Sequence, residues 1–414
     1  MKKIIMLATY FPPAGGISTF RITKFVKFLP KFDCEPVVLT VNEMSYKESN
    51  FLIDTSLLKD VPKDLTIYRT NIGGKAFMLK GLLNGLPTRW LRPLFTTIGS
   101  IIKKEKPALL FATGDPFFPL LVAPFAKRFY GLKYVIDLRD PWKLAVIDNP
   151  LKGIKGKIFG PLNNFLEPIV LNGASKVIVV SEKMAQDYRV AYPKRLPEDF
   201  IVIPNGYDPD DYDPIVPKKF DDFTIVYAGK FLSGKSFRNP SYFLKAIKIL
   251  KERGINVVFK YVGELNEEVS KIAEEAGVID HFEGVGYMSY LDTIAHMKGS
   301  DLLLLIGSGQ ETEQTGKIFD YLGSKRPILA LAAKKGGIAD VVNGIDQITL
   351  IENKEPEKIA DAIEMIYTKR SNKPVERTNI SKYLRESLTS ELVKVFENVI
   401  ENTGKSRPEE VTNN

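Results

Sequence analysis

The stretch that decides the fold spans residues 302–331 and reads LLLLIGSGQETEQTGKIFDYLGSKRPILAL. An apolar run is followed by a loop of small and polar residues, and then by a helical pattern that begins near Lys317. This order indicates a buried strand, a glycine-containing turn and a helix of an open α/β sheet. Backbone N–H groups, Lys317 and, one turn later, Asp320 meet at the helix start, which suits a phosphate and a sugar hydroxyl. A core helix with incidental charges would give the same pattern.

The same alternation of strands and helices recurs on both sides of this stretch. Strand patterns occupy residues 3–10, 36–39, 108–112, 134–137 and 176–180 and, in a second series, 223–227, 256–262, 302–306 and 328–332. Helical patterns occupy residues 18–29, 120–129, 241–253 and 267–276. The alternation predicts two parallel-sheet domains that face one another over a cleft, with ligands at the carboxyl ends of the strands.

The expected domain boundaries follow from an acidic, proline-rich linker at residues 204–214. We expect an N-terminal domain at residues 1–208 and a C-terminal domain at residues 209–380. A helix at residues 381–401 is expected to return to the first domain, and the polar tail 402–414 to be disordered. With 414 residues, 44% of them hydrophobic and 26% charged, the chain is long enough for two globular cores.

Composition excludes several classes of protein. No apolar run approaches the roughly 18 residues that a membrane-spanning helix needs. Residues 1–10 have two lysines before an apolar run, as signal peptides do, but a Phe-Pro-Pro-Ala-Gly-Gly segment follows, so we interpret them as the first buried strand of a cytoplasmic protein. The single cysteine, Cys34, and the two histidines, His281 and His296, exclude intrachain disulfides and metal centres built on thiolates or imidazoles.

Charge is divided unevenly along the chain. Residues 1–200 hold 30 Lys and Arg against 17 Asp and Glu, a net charge of +13, whereas residues 201–414 hold 28 against 33, a net charge of −5. Because no nucleic-acid-binding signature is present, the basic half points first to an anionic membrane surface or a phosphorylated substrate, and we predict no nucleic-acid partner. An ordinary solvated basic surface is the alternative.

Six short motifs, in a fixed order, carry a resemblance to a known family. They are YFPPAGG at 10–16, DLRDPW at 137–142, VVS at 179–181, IPNGYD at 203–208, YAGK at 227–230 and KIFDYLGSKRP at 317–327. In these the chain resembles the retaining GT-B glycosyltransferases of family 4, which include sucrose synthase-like and bacterial polysaccharide enzymes. The resemblance covers nearly the whole chain. It implies an α/β, GT-B fold of two Rossmann-like domains facing a cleft.

The resemblance also implies a function. A hexosyltransferase-like enzyme of this family transfers a sugar from a nucleotide-diphosphate sugar to the hydroxyl of a saccharide or lipid-linked acceptor, with retention of anomeric configuration. Cell-surface polysaccharide or glycoconjugate synthesis at the inner face of the membrane is the expected setting. The donor sugar, the nucleobase, the acceptor, the linkage and the oligomeric state are not specified by the sequence.

Glycines and lysines mark the expected diphosphate site. Gly15 and Gly16 follow a strand and precede a helix, so the backbone can turn with positive φ and approach a ligand closely. In the family, similar loops lie beneath the donor diphosphate. Gly229 precedes Lys230, and Lys235 follows; two cations there would neutralise a diphosphate leaving group.

The family's pair of acids is only partly present. Asp320 corresponds to the second acid, which binds the donor ribose. The first acid would stand at Thr312, which is not acidic, and either Glu311 or Glu313 could replace it. Around the helix start, Thr315, Gly316 and Lys317 complete the expected donor site, and Tyr287 could stack on the nucleobase.

The expected acceptor side lies after a strand of the first domain, at Asp137, Arg139 and Asp140. Asp140 could accept the proton of the acceptor hydroxyl, and Arg139 could hold a phosphate or orient Asp140. The departing phosphate could instead take the proton. The sequence has no paired-acid Asp-x-Asp motif at a strand end, so we expect no metal and no cofactor.

Two other classes share this pattern. A non-hydrolysing nucleotide-sugar 2-epimerase has the same two-domain fold and donor, but would be expected to use histidines, and residues 1–280 contain none. The second class is a non-catalytic assembly partner with the same fold. The absence of the first Glu permits it, whereas the presence of Lys230, Lys317 and Asp320 argues against it.

An amphipathic segment, residues 75–106, suggests peripheral membrane contact. Apolar residues including Trp90 and Leu94 are interleaved there with basic residues including Lys80, Arg89 and Arg92. Segments of this composition can lie among lipid headgroups. Core helices packed under a sheet would have the same pattern.

Overall fold

Two parallel sheets organise the molecule. The computed structural model describes residues 1–49, 51, 53–72, 86–114, 116–142, 153–229, 231, 238–264, 267–309, 311, 313–371 and 373–401. One sheet has seven strands and the other has six, and all their paired strands are parallel. Parallel sheets covered by helices are the hallmark of the doubly wound α/β class.

The first sheet winds outward from its centre. Its strands are β1 (Lys2–Leu7), β2 (Cys34–Val41), β3 (Thr66–Thr70), β4 (Leu109–Gly114), β5 (Tyr134–Leu138), β6 (Lys176–Val179) and β7 (Phe200–Val202). Their spatial order is β3-β2-β1-β4-β5-β6-β7. The five central strands confirm the sequence prediction. The edge strands β3 and β7 were missed, because β3 is half-buried and has no continuous apolar run, and β7 is only 3 residues long.

The second sheet repeats this winding. Its strands are β8 (Phe223–Ala228), β9 (Val257–Val262), β10 (Phe282–Gly286), β11 (Leu302–Ile306), β12 (Ile328–Leu331) and β13 (Ile348–Ile351). Their spatial order is β10-β9-β8-β11-β12-β13. The prediction again found the central strands and missed the two at the edges.

Thirteen helices are described. They are α1 (Ile17–Phe28), α2 (Glu43–Glu48), α3 (Leu86–Glu105), α4 (Val122–Tyr130), α5 (Gly153–Gly173), α6 (Glu182–Ala191), α7 (Ser241–Glu252), α8 (Glu267–Glu275), α9 (Tyr290–Gly299), α10 (Lys317–Gly323), α11 (Gly337–Val342), α12 (Pro356–Thr368) and α13 (Arg385–Glu401). The helices predicted at 18–29, 120–129, 241–253 and 267–276 are confirmed as α1, α4, α7 and α8, the helix predicted to begin near Lys317 is α10, and the one predicted at 381–401 is α13.

The chain divides into two compact units. The first unit contains Met1–Val180, Met184–Pro204 and the chain from Arg385 onward, and the second contains Ser181–Lys183 and Asn205–Leu384. Helix α13 therefore belongs to the first unit. There it packs against α1 and the sheet, with Phe396 edge-on to Phe111 at 5.6 Å between ring centroids. The tail predicted to be disordered, 402–414, lies outside the described residues.

The basic amphipathic segment proves to be part of the core where it is described. Residues 73–85 lie outside the described residues, and α3 accounts for the remainder. Trp90 and Leu94 are fully buried in the hydrophobic core of the first unit, so this face of α3 is not available to lipid. Across the described part of the chain, no helix combines the length and apolarity that crossing a bilayer requires.

Candidate functional site

The second sheet changes its winding direction between β8 and β11. In an open parallel sheet, the crevice outside the carboxyl ends of two such strands is where ligands bind. Gly229 follows β8, and the segment 307–316 follows β11 and leads into α10. The stretch identified first from the sequence therefore lies at the switch point of its sheet.

Lys317 is the central charged group of this switch point. Its Nζ donates a hydrogen bond to the Tyr227 hydroxyl at 2.8 Å and lies over the Tyr227 ring, 4.3 Å from the centroid. A Cβ atom on Gly229 would approach the Lys317 Cε to 2.2 Å, and Gly229 has a φ of 125°. Glycine is required there because it provides both the space for the lysine and the unusual backbone conformation.

Burial and, next, the nearby Arg238 guanidinium lower the pKa of Lys317 to about 7, against the opposing effect of Glu313 and Asp320. An ammonium held in this way lacks adequate compensation for its charge. An incoming anion would supply that compensation. The arrangement therefore favours binding of an anion next to Lys317.

Asp320 lies one turn along α10 and is part of a tyrosine network. Its Oδ1 accepts hydrogen bonds from the hydroxyls of Tyr212 at 2.6 Å and Tyr290 at 3.1 Å. Burial, and next the negative charge of Asp320, raise the pKa of both tyrosines. The two hydroxyls fix the orientation of the carboxylate. Sequence reasoning missed both tyrosines, because Tyr212 lies 108 residues away along the chain and nothing local marks it.

Glu313 braces the loop after β11. One carboxylate oxygen accepts a hydrogen bond from Arg238, and the other accepts one from the backbone N–H of Ser308. Glu311 is exposed, and its carbonyl oxygen accepts a 2.7 Å hydrogen bond from the Gly337 N–H. Of the two acids proposed to replace the missing first Glu, Glu313 is thus already paired within the protein.

Of the remaining predicted donor residues, Thr315 and Gly316 lie in this loop, and Tyr287 follows the edge strand β10. Thr315 and Gly316 are half-buried, and Gly316 caps α10 without a side-chain hydrogen bond. Tyr287 is 74% exposed and follows Gly286, whose φ is 90°. The predicted cations Lys230 and Lys235 lie outside the described residues.

In the first unit, the predicted acceptor-side residues follow β5. The Arg139 guanidinium donates to the carbonyl oxygens of Gly114 at 3.1 Å and Ser18 at 2.9 Å, and Asp140 is exposed. Ser18 lies beside Gly16, which has a φ of 84° and caps α1. Arg139 thus links the end of β5 to the start of α1. Both of these contacts are to carbonyl oxygens, and a role for Arg139 in holding a phosphate or orienting Asp140 stays a prediction.

Asp137 has a structural partner that the sequence did not reveal. The carboxylate is fully buried, and Arg21 contacts it with Nε and with Nη2, the latter at 2.8 Å. Thr113 donates a third hydrogen bond at 2.7 Å. Arg21 also donates to the carbonyl oxygens of Ile203 and Pro204, where the first unit ends. This is a fully paired buried charge that fixes α1, β5 and the chain's exit from the first unit.

Family comparisons agree with this architecture. Residues 25–211 match a family model described as Glycosyltransferase Family 4, and residues 222–369 match one described as Glycosyl transferases group 1. The chain belongs to the family 4 glycosyltransferases. Among curated proteins, none matches this sequence.

Solved structures share the GT-B fold over nearly their whole length. A glycosyltransferase from Rickettsia africae is 15% identical, with 97% of this chain and 99% of that chain covered and a TM-score of 0.63. HepE from Anabaena, solved with UDP and glucose, is 16% identical, with 97% and 99% covered and a TM-score of 0.60. The UDP-GlcNAc 2-epimerase of Methanocaldococcus jannaschii is 14% identical, with 96% and 100% covered and a TM-score of 0.55.

Proposed function

We propose that this glycosyltransferase uses a nucleotide-diphosphate sugar as donor and transfers the sugar to an acceptor hydroxyl with retention of configuration, in cell-surface polysaccharide or glycoconjugate synthesis. The observation that carries the proposal is Lys317. It is a cation at the switch point of a parallel sheet, held against Tyr227 and Gly229, with its pKa lowered to about 7. A diphosphate bound there would restore the charge balance of the ammonium.

Each group has a chemical role in this proposal. Lys317, with Lys230 and Lys235, neutralises the leaving diphosphate, and Asp320 accepts hydrogen bonds from a ribose hydroxyl. Thr315, Gly316 and Gly229 bring backbone close to the phosphates, and Tyr287 stacks on the base. In the first unit, Gly15 and Gly16 provide a close approach for substrate, and Asp140 or the departing phosphate takes the proton of the acceptor.

A panel of nucleotide sugars tests this function. Purified protein is incubated with UDP-, GDP-, ADP- and dTDP-sugars, and each mixture is examined for hydrolysis, epimerisation and transfer to a mixed acceptor pool. Slow hydrolysis of one donor, with transfer that gives the same anomer as the donor, is expected. Transfer with inversion would remove retention from the proposal. No conversion and no nucleotide binding would favour a non-catalytic assembly role.

A 2-epimerase is the second candidate. The observation in its favour is the shared fold with the epimerase from Methanocaldococcus jannaschii, at a TM-score of 0.55. The two histidines of this chain are His281 and His296, both in the second unit, and burial lowers the pKa of His296. In the same panel, NMR detection of a C2-inverted nucleotide sugar without transfer would establish the epimerase instead.

We place the enzyme at the inner face of the cell membrane, with a lipid-linked acceptor. The support is the charge of residues 1–200, a net +13, and a group at the end of α4, where Phe129 is 65% exposed directly after Lys127 and Arg128. Each basic residue near anionic lipid contributes about 1 kcal/mol.

Vesicle co-sedimentation tests this location. Stronger binding to phosphatidylglycerol-containing vesicles than to neutral ones is expected. The double variant Arg128→Gln, Phe129→Ser should lose that difference, and Lys369→Gln in the second unit should keep it. Equal binding to both vesicle types would remove the membrane from the proposal.

A further inference from the structure

A cavity of about 440 Å³ opens at the carboxyl end of β3, in the first unit. Residues 70–72, which end the strand, form one wall, and Arg92, Pro93, Thr96 and Thr97 of α3 form the other. The cavity lies on the sheet edge where parallel α/β folds bind their ligands. It belongs to none of the groups assigned above to donor binding or proton transfer.

The charge of the lining favours an anionic ligand. Among the described residues that line the cavity, Arg92 is the one charged group and there is no carboxylate. The only acid on α3, Glu105, is turned to Lys3 at 2.9 Å and to the Tyr68 hydroxyl. Arg92 is therefore an exposed guanidinium that no acid of its own helix neutralises, and a planar guanidinium matches a carboxylate or phosphate with two hydrogen bonds.

The other walls suit a sugar ring. Hydroxyl groups of Thr70 and Thr97 and the amide of Asn71 provide donors and acceptors, while Ile72 and Pro93 provide an apolar surface. Ligand sites of this kind combine apolar walls with a few fixed polar groups. A pyranose ring, with its C–H face and its hydroxyls, is complementary to that combination.

Two polar groups of the β3 wall, those of Thr70 and Asn71, are held by hydrogen bonds to neighbouring side chains. The buried Trp90 donates from Nε1 to the Thr70 hydroxyl at 2.6 Å, which leaves the Thr70 proton free to be donated elsewhere. Asn42 donates to the Asn71 side chain and caps α2 through Ser45 at 2.8 Å. The wall is thus pre-organised, and little conformational entropy need be lost on binding.

We propose that this cavity is a subsite for an anionic sugar residue of the acceptor, bearing a carboxylate or a phosphate that pairs with Arg92. The proposal rests on the glycosyltransferase function proposed above and names the chemistry of its acceptor. Strand β3 is four strand intervals from β5, whose end carries Asp140. At about 4.8 Å per interval this is ~19 Å, so one monosaccharide cannot occupy both places and the acceptor is an oligosaccharide.

Binding of small anionic sugars to the full-length protein tests the subsite. Saturation-transfer NMR and calorimetry are run with glucuronate, glucose 6-phosphate, inorganic phosphate and neutral glucose. We expect glucuronate or glucose 6-phosphate to bind more tightly than glucose, and Arg92→Gln to weaken that binding about tenfold or more. The matched control is Lys103→Gln, which removes one charge from the same helix outside the cavity. It should bind as the parent does.

The outcomes are distinct. A preference for glucuronate would identify the ligand as a uronic acid, and a preference for glucose 6-phosphate would identify it as a phosphorylated sugar. Inorganic phosphate that binds as tightly as either sugar would show that no sugar is recognised and would overturn the proposal. Equal binding of glucose and the anionic sugars, no binding of any of them, or equal losses in Arg92→Gln and Lys103→Gln would overturn it too. Nucleotide affinity, measured on the same samples, must be unchanged in Arg92→Gln. Failure of the nucleotide-sugar panel alone would refute the proposed function and leave the sugar-binding result standing.

Discussion

At the scale of single residues, Lys317 and Asp320 are each held in a fixed position by neighbouring residues. Lys317 is directed by Tyr227 and accommodated by Gly229, and Asp320 is oriented by the hydroxyls of Tyr212 and Tyr290. Both side chains are thereby oriented by the protein itself, as the proposed diphosphate and ribose contacts require. Fixed charges stabilise a leaving group more effectively than charges that must reorganise.

Nucleotide binding should take up a proton above neutral pH. The pKa of Lys317 is lowered to about 7 in the free protein, and a bound diphosphate would raise it toward the ordinary value. The bound state then holds more protons between these two pKa values, so affinity falls as pH rises from about 7 to 9.

Calorimetry of nucleoside diphosphate binding at pH 8, in buffers of different ionisation enthalpy, measures this uptake. Lys317→Arg, whose charge does not titrate in this range, should abolish it while retaining binding. Equal heats in all buffers for the parent protein would contradict the prediction.

Asp320 should contribute to nucleotide binding and Tyr212 to the stability of the second unit. Asp320→Ala is expected to weaken nucleotide affinity by roughly 1.5–3 kcal/mol, the value of a charge-assisted hydrogen bond.

Tyr212→Phe removes a buried hydrogen bond to the same carboxylate and should lower the free energy of unfolding by roughly 1.5–3 kcal/mol.

Hydrogen exchange of the β8 and β11 amides reports this unfolding. The control is Tyr287→Phe, which alters a 74% exposed side chain and should change stability by less than about 0.5 kcal/mol. Similar protection of these amides from exchange in Tyr212→Phe and Tyr287→Phe would show that the tyrosine network does not contribute to stability.

At the scale of elements, buried polar groups fix the orientation of helices, strands and loops that hydrophobic packing alone would orient only loosely. Arg21 of α1 reaches Asp137 of β5 and the carbonyl oxygens of Ile203 and Pro204. Glu313 similarly ties the loop after β11 to Arg238 and Ser308. In each case the linked positions are strand ends or helix starts, where the candidate functional groups lie.

Arg21→Met should destabilise the first unit strongly. The buried Asp137 would lose its cation, and breaking one side of a buried ion pair costs about 3–5 kcal/mol. Both tryptophans, Trp90 and Trp142, lie in the first unit, so fluorescence during urea unfolding reports its stability.

Lys31→Met is the matched control. It breaks the exposed pair between Lys31 and Glu386, whose side chains are 55% and 48% exposed, and should cost at most about 1 kcal/mol. A loss of less than about 1 kcal/mol for Arg21→Met would show that Asp137 needs no partner.

At the scale of the whole molecule, two sheets repeat one winding pattern. Each has a switch point at its centre, between β1 and β4 in the first and between β8 and β11 in the second. Charge also differs along the chain, since the basic excess lies in residues 1–200.

Catalysis should proceed without a metal ion, because Lys317, Lys230 and Lys235 would supply the positive charge that a divalent ion otherwise brings to a diphosphate. Donor turnover measured after dialysis against EDTA should equal that of the untreated enzyme. Loss of turnover that manganese or magnesium restores would contradict this prediction.

The sequence by itself determined the class of fold and the central strands of both sheets. Most residues of those strands are buried, so the strands appear as largely apolar runs, of which 302–306 is unbroken. It also located the switch-point helix with Lys317 and Asp320, because the strand, the glycine loop and the helix are contiguous in the chain.

Only the tertiary structure determined the edge strands, the side chains that pair with Asp137 and Asp320, and the cavity at Arg92. Strands β3 and β13 are half-buried, and polar residues interrupt the apolar run of each. The pairs Arg21 with Asp137 and Tyr212 with Asp320 join residues 116 and 108 positions apart, and the cavity at Arg92 needs β3 and α3 side by side. Local pattern encodes which face of an element is buried, whereas a contact between distant residues exists only once the sheet has fixed where each element lies.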